Sequence, residues 1–327
     1  MFVEFSEHSD EKRSDGRSYQ IRYVKLNFTV AFLQDSIVPV SKASALRGGM
    51  GEMLLRANCI RDRKCESCDF EKECIVRRIM YSDMPIQPPF MQQGNSVGYV
   101  IECEDRREHF SAGEQMEFSV LLFGNTIVYF SQILNAFYAL GQQGLGRENA
   151  RFEIVSITNH LREPILEGYN VMMEKLGIST VADYISYRKR QIAKQPIEGK
   201  IRFKTPLSMK YQKEEVKQFS VEALMAGLQR RIYILNCYEG QETDLMEMTF
   251  GESGIPYPQM ISEKHHDVSV RRYSNHQQTA MYLEGIEGEI VVDPESIIED
   301  VLDLLLAGEL VHVGKNTSFG FGRYRVK

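Results

Sequence analysis

The sequence predicts an α+β protein of two tandem ferredoxin-like domains, with a four-cysteine insertion in the first domain. Two observations lead to this prediction. Each half of the 327-residue chain has the predicted element order βαββαβ. Each half also ends with a helix, a glycine-rich loop and a strand that carries arginine. A chain of this length has room for two domains with a core in each.

The first half begins with apolar residues that alternate from Tyr23 to Leu33, a period of two that predicts a strand. The segment from Lys42 to Asn58 follows as a predicted helix. Two further strands are predicted at Val97–Cys103 and Gln115–Leu122. Between Thr126 and Leu140 the apolar residues recur at a helical period, so the first half ends in a second helix.

The second half repeats this order. The predicted elements are a strand at Lys200–Met209, a helix at Val221–Leu235, strands at Asp267–Tyr273 and Gly288–Val292, a helix at Pro294–Leu306 and a strand at Glu309–Val313. Pro294 and Glu295 suit the first turn of that last helix. We place the domains at residues 1–190 and 191–327, joined through the polar stretch from 187 to 199.

The composition predicts a soluble, cytoplasmic protein. Charged residues make up 26% of the chain, and no apolar run approaches the roughly 18 residues that a membrane span needs. The first seventeen residues are polar and charged, unlike a signal peptide. The sequence gives no indication of the oligomeric state.

A glycine-rich loop at residues 314–322 precedes the C-terminal strand. Gly314, Gly320 and Gly322 permit positive φ angles, and exposed N–H groups in such a loop can bind phosphate oxygens. Phenylalanines 319 and 321 add flat faces, and several lysines and arginines add positive charge. Single-stranded RNA is bound by this combination. The alternative is a tight β-hairpin that only ends the domain.

Two more features bear on RNA binding. The sequence Gly144-Leu145-Gly146-Arg147 repeats the loop pattern in the first half. The net charge of the chain is −6, yet residues 188–204 hold seven basic residues and one acid. A basic stretch on an acidic background suits selective RNA binding. The alternative is a solvated linker face.

Four cysteines lie within sixteen residues, with the spacing C-x5-C-x2-C-x5-C: Cys59, Cys65, Cys68 and Cys74. Four thiolates can complete a tetrahedron around Zn²⁺, which would stabilise the fold rather than take part in a reaction. An iron–sulfur cluster and a group of free thiols are the alternatives. Disulfides are not expected in a cytoplasmic protein.

Several segments together resemble the CRISPR-associated RAMP endoribonucleases, which cut precursor CRISPR RNA within its repeats. The matching segments are Leu46-Arg47-Gly48-Gly49-Met50-Gly51 with the cysteines behind it, Pro88-Pro89-Phe90, Gly144–Arg147, Arg272-Tyr273-Ser274, and His312–Lys315 through Phe319–Tyr324. The resemblance runs from about residue 20 to the C-terminus. It implies two RRM-like domains and a glycine-rich loop that contacts RNA near their junction.

The resemblance also implies a metal-independent cleavage that needs no cofactor. The 2′-OH attacks the adjacent phosphate and leaves a 2′,3′-cyclic phosphate and a 5′-OH. Such a reaction needs a base, an acid and a cation beside the phosphorane. Many family members carry a catalytic histidine on the first helix, but residues 42–58 contain none.

We therefore assign the catalytic roles elsewhere. His312 is the expected general base or acid, Lys315 the expected phosphorane stabiliser, and Tyr273 or His276 an assisting group. A core position is the alternative for His312. The residues expected to contact RNA are Arg47, Gly314, Gly320, Gly322, Arg323, Arg325, Arg147, Arg272, Arg188 and Lys189.

Two functions from different classes fit these features. The first is an endoribonuclease that produces guide RNAs from CRISPR repeat RNA. The second is a RAMP subunit that binds repeat or guide RNA without cutting it, possible partners being the subunits of a CRISPR effector complex. The histidine beside the glycine-rich loop favours cleavage, and the missing helix histidine favours binding alone. A zinc-ribbon scaffold fits the two loop-to-strand units poorly.

Overall fold

A computed structural model describes residues 16–82, 84–91, 96–168, 170–194, 196–241, 250–251, 254–274 and 279–327. Two antiparallel sheets of the ferredoxin-like type organise this part of the chain. Within it, no helix combines the length and apolar character that a bilayer crossing requires.

The first domain contains the first of these sheets. Its elements are β1 (Arg22–Phe32), β2 (Ser36–Ile37), α1 (Lys42–Asn58), α2 (Ile75–Tyr81), β3 (Tyr99–Glu102), β4 (His109–Phe110), β5 (Gln115–Phe123), α3 (Phe130–Gln143), β6 (Phe152–Thr158), β7 (Leu166–Glu167), β8 (Asn170–Val171) and β9 (Ser179–Thr180). The main strands lie in the order β3-β5-β1-β6. A βαββαβ chain produces this order when it folds as a ferredoxin-like domain, so the prediction is confirmed.

Alternate residues of β1 face two different environments. Leu26, Phe28 and Val30 are buried in the core that α1 and α3 cover. The ring of Phe28 stacks on that of Phe118 in β5, with 4.8 Å between the centroids. Lys25 on the opposite face lines a cleft of about 1240 Å³ that residues of both sheets enclose. The sheet therefore has one apolar face and one face open to this cleft.

The second domain repeats the arrangement. Its elements, with the helix that leads into it, are α4 (Val181–Ile192), β10 (Lys200–Phe203), β11 (Lys210–Tyr211), β12 (Glu214–Glu215), α5 (Val221–Glu239), β13 (Met260–Ser274), β14 (Thr279–Val292), α6 (Glu299–Val311) and β15 (Tyr324–Val326). The strand order β13-β14-β10-β15 matches that of the first sheet. Strands β13 and β14 form a hairpin longer than the sequence predicted.

The predicted strand at 309–313 is wrong. Helix α6 continues to Val311, and it buries Leu310 and Val311 in the second core. The run from Leu304 to Val311 is so uniformly apolar that period alone does not separate a strand from a buried helix. The predicted strand at 200–209 is also shorter, because Pro206 follows soon after β10 and lacks the N–H that a ladder needs.

Helix α4 packs against α6. A capping box formed by Thr180 and Asp183 starts α4. The guanidinium of Arg188 is buried and lies 2.7 Å (Nε) from a carboxylate oxygen of Glu309 on α6. The domain boundary predicted near residue 190 falls within this helix, and its position stays a prediction.

Candidate functional site

The glycine-rich loop adopts a closed conformation. Gly314, Gly320 and Gly322 have φ angles of +88°, +83° and +71°, a region that residues with a Cβ rarely adopt. A Cβ at 320 would lie 2.7 Å from the carbonyl oxygen of Ile101 in β3, so this glycine lets the loop approach the first domain. A Cβ at 322 would overlap the carbonyl oxygen of Val313.

Backbone groups of the protein already occupy several N–H groups of the loop. The N–H of Lys315 donates to Ser208, and that of Gly322 donates to Pro206 at 2.8 Å. The N–H of Gly320 donates to Thr317 at 2.8 Å. These donors are not free for a phosphate. The glycines thus serve close backbone packing, and the expected open phosphate nest is absent at these three positions.

Two arginine side chains from different elements lie over the ring of Phe319 in this loop. The guanidinium carbon of Arg47, on α1, is 4.7 Å from the ring centroid, and that of Arg272, on β13, is 4.8 Å away. We call Arg47 and Arg272 the arginine pair. Cation–π contacts of this kind hold a guanidinium in place without neutralising it. The loop, α1 and β13 therefore converge at one point.

The arginine pair keeps part of its hydrogen-bonding capacity. Arg47 donates from Nη2 to Ser96 Oγ at 3.1 Å, and Arg272 contacts the sulfur of Met281. The Nε atoms of both arginines are buried and have no hydrogen-bond partner among the described residues. Burial, together with the charge of Arg47, lowers the pKa of Arg272. Two close cations attract an anion, and a phosphate matches the planar guanidinium geometry.

Two further catalytic candidates, Tyr273 and His276, follow Arg272 in the sequence. Tyr273 directly follows Arg272 in β13, but its side chain is not among the described ones. His276 lies outside the described residues. Their assignments stay predictions.

His312 lies in the protein interior, as the core alternative had it. The residue follows α6 as its C-cap, and its side chain is fully buried. Its Nδ1 lies 2.9 Å from the carbonyl oxygen of Phe321, and its Nε2 lies 3.0 Å from Glu102 Oε1. Burial lowers the pKa of His312, and the hydrogen bond to Glu102 opposes this shift. A ring without exposed surface does not touch a substrate in this conformation, so the expected direct role in proton transfer does not fit.

Lys315 differs from His312 because it is exposed. Its Nζ lies 3.0 Å from a carboxylate oxygen of Glu215, and both side chains are about half exposed. An ion pair in such a position contributes little to stability and exchanges readily. The ammonium group can therefore leave Glu215 for a bound phosphate. Arg147, which follows the first-half glycine loop, is also exposed.

Four residues predicted to contact RNA are engaged with carboxylates. Arg188 is bound bidentately to Glu309, so the basic stretch does not expose its first member, and that prediction is corrected. The other three pairs are Lys189 with Glu299, Arg323 with Glu102 and Glu104, and Arg325 with Glu309. These ion pairs cannot be inferred from the basic stretch alone, because the acidic partners are distant in sequence.

The cysteine segment does not support a metal site. A tetrahedral zinc site needs four ligand atoms within about 2.3 Å of one point. Across the described ranges, no group of three or more Cys, His, Asp or Glu side chains could hold a metal ion. Cys59, Cys65, Cys68 and Cys74 are free thiols, and Cys65 is exposed. The structural zinc predicted from the spacing is therefore not supported.

Glu102 and Lys25 are functional candidates that the sequence analysis missed. Glu102 is buried at the end of β3 and forms an ion pair with Lys25 in β1 at 2.7 Å. The sequence does contain a sign of this pair, because Glu102 is a charged residue in the otherwise apolar strand predicted at Val97–Cys103. A charged residue in a protein core is tolerated only when it is paired.

Comparison with known proteins was made by family and by structure. Residues 201–324 match the family model of the CRISPR-associated endoribonuclease Cas6. Residues 21–176 match a model described as an N-terminal domain. An uncharacterized protein of Archaeoglobus fulgidus is 23% identical over 324 residues, which cover 95% of this chain and 99% of that protein.

Solved structures share the fold at low identity. A chain of a partial Cas6-RT-Cas1–Cas2 complex superposes on 94% of this chain with a TM-score of 0.54 and 12% identity. A Cas6 product complex superposes on 93% of it with a TM-score of 0.51 and 11% identity, and 99% of that chain is covered. The present chain spans only 46% of the first of these, and 29% of the corresponding chain in a further Cas6-RT-Cas1–Cas2 structure.

The family match covers the second domain and the glycine-rich loop, and the fold likeness extends over both domains. The similarity to the CRISPR-associated endoribonuclease Cas6 family is thus carried by the second half of the chain.

Proposed function

We propose that this protein is an endoribonuclease that cleaves precursor CRISPR RNA within its repeats. The observation that carries the proposal is the convergence of Arg47, Arg272 and Phe319 at the junction of α1, β13 and the glycine-rich loop. The family match gives the reaction class. The arginine pair gives a place where an RNA phosphate can be held at this junction.

The reaction follows from the chemistry of RNA itself. The 2′ oxygen forms a bond to the adjacent phosphorus, and its proton passes to a general base. The bond from phosphorus to the 5′ oxygen breaks, and this oxygen takes a proton from a general acid. The products are a 2′,3′-cyclic phosphate and a 5′-OH. The negative charge grows on the phosphorane, so fixed cations near it lower the barrier without a metal ion.

We assign the steps to residues around the arginine pair. Arg47 and Arg272 attract the phosphate through the positive charge of their guanidinium groups. Lys315 leaves its exposed pair with Glu215 and adds charge at the phosphorane. Tyr273 and His276, which follow Arg272 in the chain, are the proposed acid and base.

The second candidate is a RAMP subunit that binds repeat RNA without cutting it. Two observations favour it: α1 contains no histidine, and the side chain of His312 is fully buried. In both readings the same surface binds RNA. Subunits of CRISPR complexes, which the structural neighbours contain, are proposed partners for the protein in either case.

A cleavage assay separates the two candidates. Repeat RNA of the source organism is end-labelled and incubated with the protein in EDTA. A matched RNA carries one 2′-deoxy nucleotide on the 5′ side of the cut. We expect a single cut in the first RNA, a 2′,3′-cyclic phosphate end, and no cut in the second. Tight binding with both RNAs intact would identify an RNA-binding subunit instead.

A further inference from the structure

Glu102 contacts a residue on each side of the glycine-rich loop. His312 lies two positions before Gly314, the first residue of the loop, and Arg323 directly follows Gly322, its last residue. The Oε1 atom of Glu102 lies 3.0 Å from Nε2 of His312 and 3.2 Å from Nε of Arg323. Glu102 belongs to β3 of the first domain, whereas the loop belongs to the second. One buried carboxylate oxygen thus fixes both ends of the loop to the other domain.

The charge on Glu102 is balanced by its neighbours. Burial opposes ionisation of this carboxyl, but the charge of Lys25 and the contacts with His312 and Arg323 outweigh it and hold the pKa of Glu102 well below its usual range. Glu104, which contacts the same arginine at Nη1, is largely exposed. A buried charge with several partners is costly to disrupt, whereas an exposed one is not.

His312 is oriented by two acceptors. One ring nitrogen faces the carbonyl of Phe321 inside the loop, and the other faces Glu102. Its backbone has φ +61° and ψ 170°, a conformation that a residue with a Cβ adopts only when its surroundings impose it. The side-chain contacts supply that constraint. The ring therefore ties the loop backbone to the first domain.

We propose that Glu102 is a positioning residue for the cleavage reaction, and that it acts through His312 and Arg323 by fixing the loop so that Phe319 meets the arginine pair. Gly320 packs against the carbonyl of Ile101, the residue before Glu102, which places Phe319 next to β3. The inference rests on the proposed function for its catalytic consequence. The structural part of it, the restraint of the loop, does not depend on RNA.

The test compares Glu102→Gln with Glu104→Gln. The glutamine at 102 keeps the size of the side chain and removes the charge that balances Lys25 and Arg323. Hydrogen exchange is measured on the RNA-free protein for the amides of residues 313–323. We expect exchange in Glu102→Gln to rise about tenfold or more, since a buried ion pair is broken. We expect Glu104→Gln to match the wild-type protein.

Single-turnover cleavage at saturating repeat RNA is measured on the same proteins. We expect the rate of Glu102→Gln to fall about a hundredfold, the cost of a misplaced catalytic group. Glu102→Asp keeps the negative charge, so its amide exchange and its cleavage rate should both lie closer to the wild-type values than those of Glu102→Gln. A defect caused only by the changed packing of the side chain would not show this partial recovery. It also serves as the test variant if the glutamine variant does not fold.

Three outcomes would overturn the inference. Unchanged exchange in Glu102→Gln would show that this carboxylate does not restrain the loop. Faster exchange with an unchanged cleavage rate would show that loop position does not matter for the reaction. Equal defects in the glutamine and aspartate variants would remove the role of the charge. A wild-type protein that cuts no repeat RNA would refute the proposed function. The hydrogen-exchange experiment would still show whether Glu102 restrains the glycine-rich loop.

Discussion

The guanidinium carbon of Arg47 lies 4.7 Å from the centroid of the Phe319 ring, and this contact joins the two domains. Arg47 lies on the first helix of the first domain, and Phe319 lies in the glycine-rich loop of the second. Arg272 reaches the same ring from β13. The three residues come from segments that share no local sequence relationship, so the contact is a product of the tandem fold.

The arginine pair predicts a specific effect on RNA affinity. Replacement of Arg47 by glutamine removes one cation from the proposed phosphate site. We expect weaker binding of repeat RNA and a decrease of about 0.7–0.9 in the slope of log affinity against log salt, the value of one phosphate contact. Fluorescence anisotropy at several salt concentrations measures this.

Arg56 is the matched control because it lies on the same helix. It already donates to Glu52 and to Gln143, away from the loop. Arg56→Gln should leave the salt slope unchanged. An equal decrease of the salt slope in both variants would mean that RNA affinity depends only on the overall charge of α1 and not on the position of Arg47.

The glycine-rich loop predicts a stability effect. Gly322 has φ +71°, and a Cβ there would overlap the carbonyl of Val313. We expect Gly322→Ala to lower the free energy of unfolding by at least about 1–3 kcal/mol, the cost of a strained backbone. Gly48 on α1 has no atom within 4 Å of a built Cβ, so Gly48→Ala should be neutral or stabilising by up to about 1 kcal/mol. Urea denaturation of both variants checks this, and equal stabilities would contradict the closed loop.

Replacement of Lys315 should affect cleavage much more than the stability of the fold. Its pair with Glu215 is exposed, so Lys315→Gln should change the free energy of unfolding by less than about 1 kcal/mol. Loss of a cation from the phosphorane should slow the cleavage step by about 10²–10³-fold. Glu215→Gln removes the same ion pair and should retain cleavage. If the two variants cut RNA equally well, Lys315 has no role at the phosphate.

Glu102 predicts a pH-dependent stability. The pKa of this carboxyl is held below its usual range, against burial, by Lys25 and then by His312 and Arg323. A carboxyl with a lowered folded-state pKa contributes stability above its ordinary pKa of about 4.5, and this contribution is lost as the pH falls through the folded value. Glu102→Gln should be less stable than the wild type by about 3–5 kcal/mol at pH 7, as expected when one partner of a buried ion pair is removed.

The difference between these two proteins should narrow progressively below pH 4.5. Urea denaturation at pH 7, 5 and 3.5 measures it. A difference that stays constant across this range would mean that the Glu102 carboxylate does not carry the effect.

The tandem βαββαβ order was predictable because it depends on local patterns. Alternation predicts β1, helical period predicts α3, and glycine spacing predicts the C-terminal loop. The strand wrongly predicted at residues 309–313 lies where a mostly apolar run carries no period. The local sequence pattern did not distinguish a helix from a strand there. Packing of this segment in the second core, against α5 and β15, determines that it is helical.

The details of the site were less predictable because they depend on contacts between distant residues. His312 stands beside the loop in sequence, but its partner Glu102 is 210 residues away. Arg188 begins a basic stretch, yet Glu309, 121 residues away, takes it into the interior. No local pattern reveals such pairs. Arg47 and Arg272 were identified singly, and only the fold shows that they meet at Phe319.

The most direct test of the account is to find which residues touch the RNA at the cut. Repeat RNA with 4-thiouridine beside the cleavage site and a 2′-deoxy nucleotide that blocks cleavage is bound to the protein and irradiated. Crosslinked peptides are then mapped by mass spectrometry. We predict crosslinks to α1 around Arg47, to the loop around Phe319 and to β13 around Arg272. Crosslinks confined to other surfaces, such as β6 or the cleft residues near Lys25, would contradict the proposed site.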